Sequence, residues 1–374
     1  STAKLSAKKA TVYSEGYKTV TVKTPKSWKS VKVTATSNKK SVAKVKKTAA
    51  KKIKVTGVKP GTAKVTVKVT YKTSTKKSAK TKTKKLTYTM KVAKASVALS
   101  GDSAVAVGST TKLTTTKKAS SRAKITYTSS DETIATVSED GTVKGVKAGK
   151  ATITAKLTIG KDTATATQEV EVKNYVLSTV AQNKLTELTA TVAGDTKNLK
   201  VTDFAIKSEA TNVVYPVSKV TVDSKDASKV TLTLFSELKD AATYDVTLDG
   251  ITKTFVASDG KVASIGLDTP TVPYATETEV KLVSKDANGV VLKEMKTTDA
   301  DANYSFTIDP KGNGYTNGSK LYLNKIGDTA EATIEYKTGK YDQNGKAEGN
   351  IGPNKVTITS VDQARSSDRK SGSA

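Results

Sequence analysis

The chain has 374 residues, no Cys, no His and a formal net charge of +28. Without thiols or imidazoles there is no disulfide, no thiolate or imidazole metal ligand, no Cys nucleophile and no catalytic dyad or triad that relies on a His base. One β-sandwich of about 100 residues cannot account for this length, so about two to four small cores are expected.

Charge divides the chain. Residues 1–94 hold 28 Lys and one acid, Glu15, for +27, whereas residues 95–174 hold 11 Lys and Arg against 8 acids, for +3. The remaining 200 residues come to −2. No stretch approaches the roughly 18 apolar residues of a membrane span, and the opening Ser1-Thr2-Ala3-Lys4 has no apolar signal core, so a mature or trimmed product is expected. The lack of Cys is compatible with the cytosol and also suits an exported protein that does not depend on oxidative folding.

Val, Thr, Ile and Tyr alternate with Lys, Ser or Asp over long stretches. No segment keeps apolar residues at i, i+3, i+4 for more than about two turns, which predicts an all-β chain. In chain order, Ser37-Asn38 leads to Ser41-Val42-Ala43-Lys44-Val45 and then to Lys54-Val55-Thr56-Gly57-Val58-Lys59-Pro60-Gly61-Thr62-Ala63-Lys64-Val65. The same order returns in Ser129-Ser130-Asp131-Glu132, Thr133-Ile134-Ala135-Thr136-Val137 and Thr142-Val143-Lys144-Gly145-Val146-Lys147-Ala148-Gly149-Lys150-Ala151-Thr152-Ile153. The copies lie about 90 residues apart, close to one sandwich. Gly57 and Gly145 suggest a bulge or tight bend, and Gly61 and Gly149 suggest turns that use positive φ.

The spaced elements Val107-Gly108, Leu113, Tyr127-Thr128-Ser129-Ser130-Asp131, Ile134-Ala135-Thr136-Val137, Gly141-Thr142-Val143, Gly145-Val146, Ala148-Gly149 and Ala151-Thr152-Ile153 resemble the bacterial Ig-like group 2 family. Residues 1–94 are similar to a diverged copy, in which Gly16 is the candidate match to Gly108, the aspartate after the serine pair is missing and Lys occupies most outward positions. The resemblance covers just under half the chain. It implies tandem immunoglobulin-like β-sandwich domains in an extracellular cell-surface protein.

Beyond Asn174 the signature ends but the strand rhythm continues. Leu185-Thr186-Glu187-Leu188-Thr189-Ala190-Thr191-Val192, Val217–Val222, Val230-Thr231-Leu232-Thr233-Leu234 and Tyr244-Asp245-Val246-Thr247-Leu248 alternate, and Asp249-Gly250 predicts a hairpin into Ile251–Val256. The run from Ser236 to Tyr244 resembles the close of Ig-like modules in S-layer proteins. Further strands are expected around Val280-Leu282, Val290-Leu292, residues 304–308, Leu321-Leu323, residues 332–336 and Val356-Ile358, with long Gly- and Asn-rich loops over 309–319 and 338–353. The domain reading is therefore 1–94, 95–174, 175–259 and 260–362, with a flexible tail over 363–374.

The lysine excess is the candidate functional feature. Lysine on outward strand positions also guards sheet edges, but 28 against one acid costs self-repulsion and steers the domain toward anionic surfaces. The first choice for contact is Lys72, Lys76, Lys77, Lys80, Lys82, Lys84 and Lys85, in a Ser/Thr-rich stretch read as a flexible or hairpin-tip loop. The expected partner is an anionic cell-wall polymer. Specific nucleic-acid recognition is not expected, because residues 1–94 contain no Arg for bidentate contacts and no evident stacking platform among their few aromatics.

Asp299, Asp301, Asn303 and Asp309 offer alternating oxygens for calcium, although a complete ligand set and the sixth-position Gly of a calcium loop are missing. Asp342, Asn344 and Glu348 form a weaker group. Without His, only carboxylate pairs remain for general acid/base work, and no pair is marked by the sequence, so no enzyme activity is expected.

The expected function is structural, of the S-layer or surface-array type, with self-association of the neutral modules into a lattice or filament through exposed strand edges. The alternative is an adhesin whose carboxy-terminal modules bind a host protein or glycan. Tyr315, Tyr322, Tyr336 and Tyr341 are its candidate contacts, with core packing an equally good account of them.

Overall fold

The computed structural model describes residues 1–363, so the tail expected over 363–374 lies, past residue 363, outside the described residues. The chain packs as two compact units, Ser1–Asn174 and Tyr175–Ala374.

The first unit opens with a sandwich of two four-stranded sheets. One has the order Lys9–Tyr13, Lys82–Ala93, Gly61–Lys72, Lys29–Ser37; the other has Lys4–Leu5, Tyr17–Lys23, Lys52–Gly57, Ala43–Ala49. Period-two alternation fixes which side of each strand is buried. Along Gly61–Lys72, Ala63, Val65, Val67 and Val69 are buried while Lys64 and Lys68 between them face solvent. The buried residues meet Val20, Val22, Ile53 and Val55 of the facing sheet, together with Tyr88 and Met90. Full burial of one Val contributes roughly 1.5–3 kcal/mol, so this seam of small β-branched residues holds the sheets together without a disulfide.

The second sandwich repeats the layout. Its larger sheet runs Ala104–Ala106, Asp162–Lys173, Gly149–Ile159, Lys124–Ser129, against Thr110–Lys112, Thr142–Gly145, Ala135–Val137, with Ser96–Ser100 paired to Thr114–Lys118. The repeat extends to register: Ala43 stands opposite Gly57 as Ala135 stands opposite Gly145, and Gly61 opposite Val92 as Gly149 opposite Val172. In both sandwiches a short early strand runs parallel to the last, Lys9–Tyr13 beside Lys82–Ala93 and Ala104–Ala106 beside Asp162–Lys173.

The bulge or bend expected at Gly57 and Gly145 is not what these glycines supply. The ladders reach both without a register shift at the glycine. A Cβ on Gly145 would lie 2.6 Å from the Ala106 carbonyl oxygen, and one on Gly57 would lie 3.0 Å from Val12 Cγ2. The neighbouring strand crosses where a side chain would stand, and that close approach requires glycine. Gly149 does have positive φ, +152°, as its turn position predicts.

The second unit contains two sandwiches of different topology. The first sets Tyr175–Lys184, Glu187–Gly194, Lys229–Leu234 and Val217–Val222 against Phe204–Ser208, Thr243–Leu248 and Ile251–Val256. Four strands in A-B-E-D order face three in C-F-G order, the constant-type immunoglobulin arrangement. Asp249 and Gly250, with φ of 48° and 79°, make the expected two-residue hairpin turn.

The last sandwich returns to the topology of the first unit. Thr271–Pro273 runs parallel to Ile351–Val361, followed across the sheet by Thr329–Tyr336 and Tyr304–Pro310, over a second sheet of Thr278–Glu279, Lys320–Tyr322 and Tyr315–Asn317. The stretches expected as long loops carry short pairings instead, Tyr315–Asn317 in one and Lys340–Tyr341 with Ala347–Glu348 in the other. These strands are mostly exposed and polar, so no apolar alternation announces them.

The two sandwiches of this unit also share a sheet. Tyr175–Lys184 meets Val291–Met295 in parallel at Lys184 and Val291, which joins strands from both into one seven-stranded sheet. The Lys184 ammonium lies 2.6 Å from the Glu294 carboxylate at this seam. Each sandwich nevertheless keeps its own apolar core, one within 177–257 and the other within 272–358.

Candidate functional site

The lysine cluster is built on a long hairpin. Gly61–Lys72 and Lys82–Ala93 pair antiparallel, with Tyr71 opposite Lys82, Val69 opposite Lys84 and Lys68 opposite Lys85. Residues 73–81 form the tip, where the Ala79 amide donates to the Lys76 carbonyl at 3.0 Å and the Lys76 amide donates to Ser74 Oγ at 3.2 Å. Lys76, Lys77, Lys80, Lys82, Lys84 and Lys85 are exposed, and Lys72 is half-buried. All seven candidates therefore lie at one end of this hairpin.

Lysine also stands opposite lysine at four places in the ladders: Lys4 and Lys23, Lys29 and Lys72, Lys46 and Lys54, Lys68 and Lys85. Like charges directly opposite are destabilising in a sheet. Among the described residues no ion pair involves a lysine before Lys94. Glu15, the only acid of residues 1–94, sits exposed in a turn with φ of 67°. The positive charge is left to solvent and to whatever anion approaches.

The structure adds two aromatics that the sequence did not link to the cluster. Trp28, the one Trp of the chain, stacks on Tyr71 with ring centroids 3.4 Å apart and planes within 3°. Their next neighbours, Lys29 and Lys72, stand opposite each other across the strands. Tyr17, 56% exposed on the other sheet, carries the Lys54 ammonium 4.2 Å from its ring centroid. Trp28 and Tyr71 are 43 positions apart, and only strand pairing brings them together.

The calcium candidates occupy turns and a strand in the last sandwich, each with a local partner. Asp299 accepts from the Lys296 amide at 2.9 Å, Asp301 from the Asn303 amide at 2.9 Å, and Asn303 donates through its side chain to the Lys337 carbonyl at 2.7 Å. Asp309 accepts from the Lys311 ammonium at 2.7 Å. The Asn303 amide, assisted by Lys293, holds the Asp301 carboxyl below its ordinary range. Among the described residues no three or more acidic side chains gather as metal ligands. Asp342 likewise accepts from the Asn344 and Lys346 amides, each at 2.8 Å.

The four candidate tyrosines separate. Tyr315 and Tyr322 stand opposite each other and stack at 4.7 Å, Tyr336 packs instead against Tyr304 at 5.0 Å, and Tyr341 is 67% exposed on its own hairpin.

Residues 93–170 match the family model for the bacterial Ig-like domain (group 2). No curated protein matches the chain. Among solved structures, the chain is similar to the N-terminal part of the bacterial S-layer protein SbsC, at 19% identity over 50% of this chain and 44% of that one, with a TM-score of 0.30. It is also similar to domains 4–9 of the surface layer protein SbsC, at 19% identity over 96% of this chain and 66% of that one, with a TM-score of 0.27. The I9–I11 tandem from titin aligns at 12% identity over 68% of this chain and 98% of that one, with a TM-score of 0.27. The chain spans less than half the length of the first of these structures. By its motif order, its paired sheets and its family match, the segment 93–170 is a bacterial Ig-like domain of group 2 within an all-β tandem of immunoglobulin-like sandwiches.

Proposed function

We propose that this chain is a structural protein of the bacterial cell surface, of the S-layer or surface-array type, in which residues 1–94 hold an anionic cell-wall polymer. The observation that carries this reading is the uncompensated charge of the first sandwich: 28 lysines, one acid, and four places where lysine faces lysine. A polyanion supplies the counter-charge that the fold withholds, and the field of such a module steers it toward anionic surfaces. The hairpin end at Lys76, Lys77, Lys80, Lys82, Lys84 and Lys85 is the proposed contact. The nearly neutral sandwiches that follow carry no comparable repulsion and are free to meet copies of the chain edge to edge.

The test is co-sedimentation of the intact chain with purified Gram-positive walls across a salt series. Binding at low salt, released steeply as the Debye length falls from about 10 Å to about 3 Å, is the expected result. Walls stripped of their anionic polymers should no longer retain the chain. Binding that ignores both salt and stripping overturns the proposal.

A further inference from the structure

The first, second and last sandwiches each build a sheet on the same three strands, with Lys4–Leu5 added as a fourth in the first, and only the last stacks two aromatics across its central and edge strands. In the first sandwich the central and edge strands of this sheet present Lys54 and Lys46 opposite each other, and in the second they present Lys144 and Thr136. In the last, the equivalent strands Lys320–Tyr322 and Tyr315–Asn317 present Tyr322 and Tyr315. A sheet that folds twice with lysine and threonine at this place does not need a tyrosine pair there to fold.

Three details make the pair a platform. Tyr315 lies on the outermost strand of its sheet, with one ring face backed by Tyr322 at 4.7 Å and the residue still 45% exposed. Its hydroxyl donates to Glu277 Oε1 at 3.2 Å, which fixes the ring before any ligand arrives. The Asn317 amide donates to the same carboxylate at 3.3 Å, setting an amide and a carboxylate beside the aromatic face. The neighbouring Glu279 accepts from Ser319 at 2.8 Å, so the rim carries a second carboxylate.

We propose that this face binds a neutral glycan, with the C–H face of a pyranose ring on Tyr315 and its hydroxyls on the Glu277 and Asn317 side chains. The aromatic quadrupole presents a negative face to the weakly positive C–H groups. A preformed ring loses little freedom on binding. Among the described residues Glu277 has no lysine partner and disfavours the polyanion proposed for residues 1–94, while Glu279 is balanced by Lys281 at 3.9 Å and Lys296 at 3.7 Å, so a ligand without charge suits this face. The surrounding face is polar, which suits hydroxyls better than an apolar protein surface.

The intact chain would be titrated separately with cellohexaose, maltohexaose, chitohexaose and mannohexaose, with saturation-transfer NMR as the readout. At least one sugar should bind with a Kd of about 1 mM or tighter, independent of salt. Tyr315→Leu keeps apolar bulk at the strand edge but removes the ring, and should weaken that sugar about tenfold, whereas Tyr315→Phe should stay within about threefold. Lys76, Lys77 and Lys80 changed together to Gln should lower wall binding and leave the sugar untouched, which separates this site from the proposed anchor. Failure of all four sugars at about ten times that concentration, or equal binding by wild type and Tyr315→Leu, overturns the proposal.

Discussion

Asp162 takes the backbone amide of Ala95 at 2.8 Å on one oxygen and the Lys94 ammonium on the other, and so ties the linker between the first two sandwiches to the second. The carboxylate is only 3% exposed, whereas Lys94 is 62% exposed. A second tie, from Ser120 Oγ to the Ser14 carbonyl at 2.8 Å, crosses the same joint.

The Asp162 contact should make the joint acid-sensitive. Burial works to raise this carboxyl, but hydrogen bonds from Lys94 and Ala95 outweigh it and leave the pKa below its ordinary value of 3.8. A depressed folded pKa contributes stability that is present above the unfolded value and lost as pH falls through the folded one. The stabilisation is therefore complete at neutral pH and disappears below 3.8. Asp162→Ala should cost about 1–3 kcal/mol at neutral pH, the range for an orphaned buried partner. Chemical denaturation of wild type and variant at neutral and acid pH checks this: the difference should shrink in acid.

Reversing one lysine of a facing pair should stabilise the first sandwich while weakening its hold on anions. Lys85→Glu places a carboxylate opposite Lys68 and should gain about 0.2–1 kcal/mol. Calorimetry in low salt should show a higher first transition for the variant, with the gap closing as salt is added. An unchanged transition would mean that the repulsion is already relaxed by side-chain motion.

Trp28 offers a direct optical probe of the hairpin end, because it is the only Trp in the chain. Removing its ring as Trp28→Ala should cost the first sandwich about 0.5–1.5 kcal/mol for the Tyr71 stack alone, with further loss from buried area. Soluble polyphosphate should change the emission of wild type at low salt. In a variant with Lys76, Lys77 and Lys80 changed to Gln, the same change should require more polyphosphate.

Two glycine substitutions separate crowding from mere flexibility. Gly145→Ala drives a methyl to 2.6 Å from the Ala106 carbonyl oxygen and should cost about 1–3 kcal/mol. Gly266→Ala meets nothing within 4 Å and has no positive φ, so it should be neutral or gain up to about 1 kcal/mol. Thermal melts of the two variants beside wild type would read the contrast directly.

The sequence was most legible where burial and motif agree. Val42, Gly61 and Val65, with their counterparts Ile134, Gly149 and Ile153, announced the repeated sandwich because each residue answers a local demand of the strand or turn, whereas Gly57 and Gly145 marked it for a reason the sequence did not show, the close approach of Lys9–Tyr13 and Ala104–Ala106. The lysine cluster was legible as charge, and its seven members do share a hairpin end. The Trp28–Tyr71 stack and the Tyr315–Glu277 bond were not legible, since each depends on strands distant in sequence. The topology of the last sandwich was hidden for a related reason. Short polar edge strands such as Tyr315–Asn317 bury nothing and leave no period to read.

The parallel pairing of an early strand with the last strand has a mechanical consequence. In the first sandwich Lys9–Tyr13 lies along Lys82–Ala93 from Lys9 and Thr89 to Tyr13 and Ala93. Tension applied at the two ends of such a module pulls these neighbouring strands past each other lengthwise, so their hydrogen bonds are loaded together in shear instead of opening one at a time. The same arrangement recurs at Ala104–Ala106 and at Thr271–Pro273, with three paired positions in each. Single-molecule pulling on the intact chain should therefore find that the first sandwich, with five paired positions, yields at a higher force than the second. A protein that bears turgor or flow at an envelope would meet load at these seams.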